Sequence, residues 1–408
     1  MNTAHTEDPV RRLRKQRAEL NNYIIGDIKV KIWKFAATCA VGTTLFAGLM
    51  GGAVAQTLKI GVIAPLTGPG APWGLAAKYA AEIAADEVNA KGGLNVGGKK
   101  YQVQAIAYDD QYKAAEAVAA YNRLTRQDGA KYLMVATSAP TMAVKQNVED
   151  DKVLTITSAF ASAAIDDKSK YMFRMYSTSE HYIPAYVAWM KKNLKESRML
   201  TVNPNDETGW AQSKVTGEQY KKVGFDLIGA ELYERSMKDF APLLTKVIAQ
   251  KPEVIDLGSS SPATAGLIVR QARELGYKGR FVQTGGSGWE EIVKSAGKEA
   301  AAGLVNVLYT DTSTPGFKKL AAAYEKKAGH VPNELIAIYY DGWRVVFSAM
   351  EKAGDVDTTK VATAYPTVLP MTSVQGTQMS WAGRQQVLTT EFVSILEDGK
   401  PVIKGTIK

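Results

Sequence analysis

Apolar and polar positions along the chain alternate between short apolar runs and longer stretches with helical spacing. Leu58 to Ala64 is an apolar run ending at Pro65, suited to a buried parallel strand. Trp73 to Asn89 follows with Ala, Ile and Val at helical spacing and stops at Lys91-Gly92-Gly93. Tyr101 to Tyr108 alternates like a strand, Ala114 to Leu124 reads as a helix, Tyr132 to Ala136 as a strand, Thr141 to Val148 as a helix, and Val153 to Ile156 closes the unit. The rhythm then repeats. Strands are predicted at Met199 to Val202, Asp226 to Glu231, Val254 to Leu257 and Arg280 to Val282, with helices at Gly209 to Lys222, Pro242 to Ala249 and Ala263 to Leu275. Two helical segments, Pro315 to Lys327 and Glu334 to Lys352, come late, followed by a turn and strand at Gly376 to Trp381 and a hairpin over Phe392 to Val402. This order predicts an α/β fold of two doubly wound parallel-sheet lobes. No linker rich in Pro, Gly or Ser divides them; the short polar connections Met175 to Ser179 and Tyr309 to Thr314 read as hinge crossings.

Residues 29–55 carry a different signature. Lys29, Lys31 and Lys34 precede an uncharged, mostly apolar stretch from Phe35 to Met50, and Ala53-x-Ala55 is the small-x-small pattern a signal peptidase cuts after. The segment is expected to be a secretory signal peptide that sends the protein to the periplasm. A membrane anchor wants ~20 strongly apolar residues, and this run is diluted by Thr, Gly and Ala. Residues 1–28 are polar, with a basic cluster at Arg11, Arg12, Arg14, Lys15 and Arg17. They are expected to be a spurious extension from a start codon assigned too early. A twin-arginine reading of Arg11-Arg12 suffers from the distance to the apolar core.

Charge and cysteine content narrow the function. The whole chain has 50 Lys/Arg and 41 Asp/Glu, a formal charge of +9; eight and four of these lie in residues 1–55, so residues 56–408 hold 42 and 37. The signs are interspersed, which describes a solvated surface and not a nucleic-acid footprint. The single cysteine, Cys39, lies in the signal, so the remainder has neither disulfide nor thiol chemistry. Its two histidines, His181 and His330, are far apart, and no zinc spacing exists. Gly285-Gly286-Ser287-Gly288-Trp289 fails as a nucleophile elbow at its fifth position, and neither a Walker loop nor a dinucleotide fingerprint is present. Asp109-Asp110 and Glu149-Asp150-Asp151 are expected to be surface charges at element ends. No enzyme, cofactor or metal site is expected.

Small ligands of open α/β sheets bind beyond the carboxyl ends of the strands. Those ends carry Thr67 to Gly74, Thr137 to Thr141, Thr157 to Ser162, Asn203 to Trp210, Gly258 to Ser261 and Gln283 to Gly286. All are rich in Ser, Thr and Gly with scattered aromatics such as Phe160. Hydroxyls and helix N-termini suit an anion, and Trp73, Tyr176 and Trp210 are candidate flat walls. The alternative for each hydroxyl is helix capping.

Several of these residues also carry a resemblance. Ile60-Gly61-Val62-Ile63-Ala64-Pro65-Leu66-Thr67-Gly68, Asn89-Ala90-Lys91-Gly92-Gly93, Tyr108-Asp109-Asp110, Phe173-Arg174 and Arg270-Gln271-Ala272-Arg273 are similar to the leucine/isoleucine/valine-binding family of type I periplasmic solute-binding proteins. The resemblance covers essentially all of residues 56–408. It implies two lobes joined by three crossovers, residues 56–176 with 310–388 and residues 177–309 with 389–408, with the ligand closed between them. It also implies that Trp73 is the aromatic lid. Ala139 falls where a serine hydroxyl usually binds the ligand carboxylate, with Ser138 and Thr141 beside it. Ala159 and Ala161 fall where backbone and a threonine flank the ligand head, and Ser261 replaces a tyrosine. Gly285 falls where amino-acid binders keep a glutamate for the ammonium group, and burying an ammonium without that carboxylate costs several kcal/mol. The expected ligand is therefore an aromatic or branched carboxylate lacking the amine. The protein is expected to be a monomer that closes by hinge motion and delivers this acid to the inner-membrane permease of an ABC importer. An amino-acid-binding member of the family, or a periplasmic sensor module, stays open as the alternative.

Overall fold

The computed structural model describes residues 56–407; the expected signal peptide and upstream extension lie outside them. Two large sheets dominate. The first contains β1 (Gln56–Ala64), β2 (Leu94–Val96), β3 (Lys99–Asp109), β4 (Tyr132–Val135), β5 (Leu154–Thr157) and β6 (Met172–Arg174), in the order β2-β3-β1-β4-β5-β6. All its pairings are parallel except β2 with β3. The second contains β7 (Arg198–Pro204), β8 (Asp226–Tyr233), β9 (Val254–Asp256), β10 (Arg280–Gln283) and β11 (Val305–Leu308). After the small antiparallel sheet of β12 (Met371–Thr372), β13 (Gln378–Trp381) and β14 (Val387–Leu388), it gains β15 (Glu391–Glu397) and β16 (Lys400–Ile407). Its order is β16-β15-β11-β10-β9-β7-β8, and its parallel part repeats the order of the first sheet. β1 sits between β3 and β4, and β7 between β8 and β9, so strand order reverses beside β1 and beside β7. Those reversal points are where a crevice opens at the strand ends.

The apolar runs form these strands because helices cover both sheet faces. Ile60, Val62, Ile63 and Ala64 are fully buried, the pattern of a parallel strand. The helix Ala71–Ala90 buries Ala76, Ala77, Ala80, Ala81 and Ala84 along one face, and it ends where Gly92 (φ +88°) and Gly93 (φ +96°) turn into the left-handed region. Its start is held unusually close to β1: a Cβ on Gly74 would lie 2.0 Å from the Pro65 carbonyl oxygen. The second sheet repeats this, with Gly209 at the start of helix Glu207–Lys222 and 1.8 Å from the Pro204 oxygen by the same construction. Any side chain at either glycine would push a helix N-terminus away from the strand end it must face.

The chain passes between the sheets three times: after β6, after β11 and before β15. The first and third crossings are tied to each other, and the second is tied to the turn between β12 and β13. Ser177 N donates to Thr389 Oγ1 (3.1 Å), Thr389 N donates to Ser177 Oγ (3.0 Å), and Gln375 Nε2 donates to the Tyr309 carbonyl (3.3 Å).

The pattern-based elements mostly recur with shifted ends. Helix Ser138–Asp150 begins three residues earlier than the expected Thr141, because Pro140 lies within its first turn, where a missing N–H costs nothing. Helix Ser179–Asn193, which contains Pro184, helix Trp289–Ala296 and strand β11 are not expected from the pattern. The paired acids are not simple surface charges. Asp110 is fully buried and accepts from Tyr112 N, Asp109 accepts from Leu66 N and Gln111 N, and Glu149 accepts from Lys170 N and Tyr171 N.

Candidate functional site

The cavity lies where the reversal points of the two sheets face each other. From the first sheet side come Trp73, Tyr112, Ala136, Thr137, Ser138, Ser158, Phe160 and Tyr176; from the second come Thr208, Ser259, Gly286 and Ser287; Tyr309 on the second crossing, with Leu335 and Tyr339, completes the wall. The cavity these residues line is small, about 30 Å³. The walls therefore stand close together.

The rings form one connected wall. Phe160 and Tyr176 meet edge to face at 5.9 Å between centroids, and Tyr176 and Tyr309 at 5.4 Å. Their hydroxyls are fixed to the backbone or to one another: Tyr176 Oη donates to the Ser158 carbonyl (3.1 Å), and Tyr309 Oη lies 2.9 Å from Tyr182 Oη, which donates to the Thr284 carbonyl. Burial raises both the Tyr176 and the Tyr309 pKa well above the usual phenol range, so both are neutral at physiological pH. Trp73 closes the opposite side. It is 7% exposed, and its Nε1 donates to the Ser287 carbonyl on the other lobe (3.0 Å).

The polar side of the cavity is made of hydroxyls. Ser138 Oγ accepts from Phe160 N (3.0 Å) and Ala161 N (3.2 Å), which leaves its proton free to donate. Ser138 and Ala139 also occupy the first turn of their helix, where N–H groups have no intrahelical acceptor. Arg174 organises the facing loop by donating to the carbonyls of Ala159, Ala161 and Ser162, and this turns the Phe160 and Ala161 amides toward Ser138. Thr137 Oγ1 and Ser259 Oγ, one from each sheet, are buried without a protein partner. Among the described residues, no Asp, Glu, Lys or Arg lines the cavity. Glu334, next to Leu335, is fully buried and its pKa is pushed up to about 7 by desolvation, but its carboxyl is not part of the wall.

Of the expected site residues, Trp73, Ser138, Phe160 and Tyr176 line the cavity. Ser138 lines the cavity and Ala139 does not. Thr141, Ala159 and Ala161 form the layer behind; Thr141 Oγ1 is spent on the Thr137 carbonyl and Thr157 Oγ1. Ser261 bonds Thr264 Oγ1 and lies on a separate groove with Arg235. Trp210 does not wall the cavity: it is 51% exposed and donates to Asn205 Oδ1, because its position in the helix Glu207–Lys222 turns it outward. Gly285 is absent from the lining, and the space a side chain would take there belongs to Gln212, whose Oε1 would lie 2.9 Å from a Cβ. Thr137, Ser158, Thr208, Ser259 and Gly286 lie on the strand-end loops the sequence points to, but nothing in the sequence singles them out within those loops. Nothing in the pattern pointed to Tyr112, Leu335 or Tyr339.

A family model described as periplasmic binding protein matches residues 57–400, and the chain belongs to that family. It is a solute-binding protein of the ABC-transporter type and not an enzyme. The leucine-, isoleucine-, valine-, threonine- and alanine-binding protein of Pseudomonas aeruginosa is 26% identical over 312 residues, 76% of this chain and 82% of that protein. A branched-chain amino acid transporter substrate-binding protein of Streptococcus pneumoniae, solved with isoleucine, superposes with a TM-score of 0.75 at 24% identity, covering 86% of this chain and 99% of that one. A solute-binding protein of Rhodopseudomonas palustris solved with 3,4-dihydroxybenzoic acid superposes at 0.72 with 22% identity, covering 86% and 97%. Among the described residues no helix is long and apolar enough to cross a membrane.

Proposed function

We propose that this protein captures a small aromatic or branched carboxylate without an amine, closing on it by hinge motion between residues 56–176 with 310–388 and residues 177–309 with 389–408. As a secreted monomer it then delivers the acid to the permease of an inner-membrane ABC importer. The observation that carries the reading is the uncharged wall: rings on one side, hydroxyls on the other, with Thr137 and Ser259 lacking a partner. Buried hydroxyls without partners are costly, and an acceptor that enters between them removes that cost. A carboxylate supplies such acceptors. An ammonium would meet no carboxylate in the wall; the resemblance puts the glutamate of amino-acid binders at Gly285, which lies outside the lining. The solved relative with 3,4-dihydroxybenzoic acid is consistent with this chemistry. A benzene-sized ring needs a cavity of about 150 Å³, so the lobes must part to admit one and re-close around it.

Amino-acid binding is the second reading, favoured by the names of the curated relatives. A thermal-shift panel of benzoates, branched carboxylic acids and branched amino acids separates the two. Stabilisation by the acids is expected; a response confined to leucine-like amino acids would sink the ligand assignment.

A further inference from the structure

Three polar side chains at the edge of the cavity form a chain that crosses from one lobe to the other and back. Tyr112, on the loop after β3, places its hydroxyl 2.9 Å from Arg235 Nη2 and 3.0 Å from Thr208 Oγ1, both of which follow strands of the second sheet. The Arg235 guanidinium also lies 4.0 Å from the Tyr112 ring centroid and pairs with Asp206. Asp206 in turn caps the helix that carries Thr208, accepting from Thr208 N and Gly209 N. Tyr112 and Thr208 line the cavity, while Arg235 stands behind them. The loop is built for this reach. Gln111 (φ +49°) and Tyr112 (φ +61°) both hold left-handed conformations that residues with a Cβ avoid, and Asp109 and Asp110 clamp their amides at 2.9 and 2.7 Å.

The direction of the chain follows from its chemistry. A guanidinium has no acceptor, so at the Arg235 end the Tyr112 oxygen must accept. The single Tyr112 proton then goes to Thr208 or into the cavity, and if Thr208 accepts it, the Thr208 proton is the one left over. Either way the chain ends on a donor beside the ligand. We infer that Arg235, Tyr112 and Thr208 form a donor chain, assembled only when the lobes close, that selects the anionic end of the ligand. The inference rests on the acid reading above. Parting the lobes takes Tyr112 away from both partners, so acceptor recognition and closure become one event. Arg235 is a positioning residue; Tyr112 and Thr208 are the members of the chain that line the cavity.

The test uses benzoate and its neutral isostere benzamide, titrated calorimetrically into wild type, Tyr112→Phe and Arg235→Lys. Tyr112→Phe keeps the ring and its cation–π contact and removes only the hydroxyl. It is expected to weaken benzoate at least tenfold and benzamide less than threefold, with the unliganded melting temperature unchanged; Arg235→Lys is expected to shift the same ratio in the same direction. Equal losses for both probes, or no loss, would overturn the inference. If neither probe binds wild type, the acid reading fails, and the chain is judged separately by closure. Spin labels at Gln146→Cys and Glu218→Cys, in a Cys39→Ser background, report the interlobe distance. Tyr112→Phe is expected to deplete the short-distance population, and an unchanged distribution counts against the chain itself.

Discussion

Replacing Trp73 by alanine removes the ring that closes the cavity and the bond from its Nε1 to the Ser287 carbonyl of the other lobe. A tryptophan buries about 150–250 Å², and Trp73 is 7% exposed. Part of that cover comes from its own helix and the end of β1 and persists when the lobes separate. If roughly half, about 100 Å², depends on closure and ligand, the loss at ~25 cal/mol/Å² is about 2.5 kcal/mol. The interlobe hydrogen bond adds about 1 kcal/mol. Together they weaken binding by a few hundred-fold, since about 1.4 kcal/mol is tenfold. Trp73→Phe keeps most of the area and loses the bond, so it should cost about fivefold by the same measure. Isothermal titration with the strongest acid from the panel reads the affinity, and guanidinium unfolding of the unliganded protein reads stability. Affinity within threefold of wild type would refute the lid. So would an unliganded protein that loses as much stability as the ligand loses affinity, because the ring would then be ordinary core.

Thr137→Val and Ser259→Ala remove buried hydroxyls that have no protein partner. Each should leave unliganded stability unchanged or slightly higher, yet weaken an anionic ligand about tenfold or more, since hydrogen bonds to charged groups contribute about 1.5–3 kcal/mol; unfolding and titration of the same variants check both signs. Stability should also fall as pH rises. Desolvation pushes the pKa of Asp256 and Asp341 up to about 6 and of Asp110, Glu334 and Glu391 up to about 7. Between the ordinary carboxyl range near ~4 and these raised values the native state binds more protons than the unfolded chain, so stability declines across that window. Burial of His181 lowers its pKa and opposes this with one group only. The guanidinium midpoint is expected to be higher at pH 5.5 than at pH 8, and a rise over that interval would contradict the assignment.

The doubly wound lobes were legible because parallel strands buried on both faces read as unbroken apolar runs, as Ile60 to Ala64 does. Strand ends were legible for the same reason, and with them the loops of Ser138, Phe160 and Trp73. Individual residues were harder. Which members of Thr137-Ser138-Ala139 face the cavity depends on where the helix starts, and Pro140 hid that start inside its first turn. Trp210 looked like a wall because aromatic character carries no direction; only the helix phase turns it to solvent. Tyr112 gave no signal at all, since its place depends on two left-handed residues whose conformation Gln and Tyr do not advertise. Tyr339 enters from a helix distant in sequence, beyond the reach of any local pattern.

Leucine and 4-methylpentanoate share a carbon skeleton and differ by one ammonium group, which makes them the sharpest pair for a cavity without a counter-charge. Isothermal titration of the purified protein with both measures that difference directly. The account predicts that 4-methylpentanoate binds at least about 100-fold more tightly, the cost of burying an unpaired ammonium being several kcal/mol. Tighter binding of leucine would contradict it.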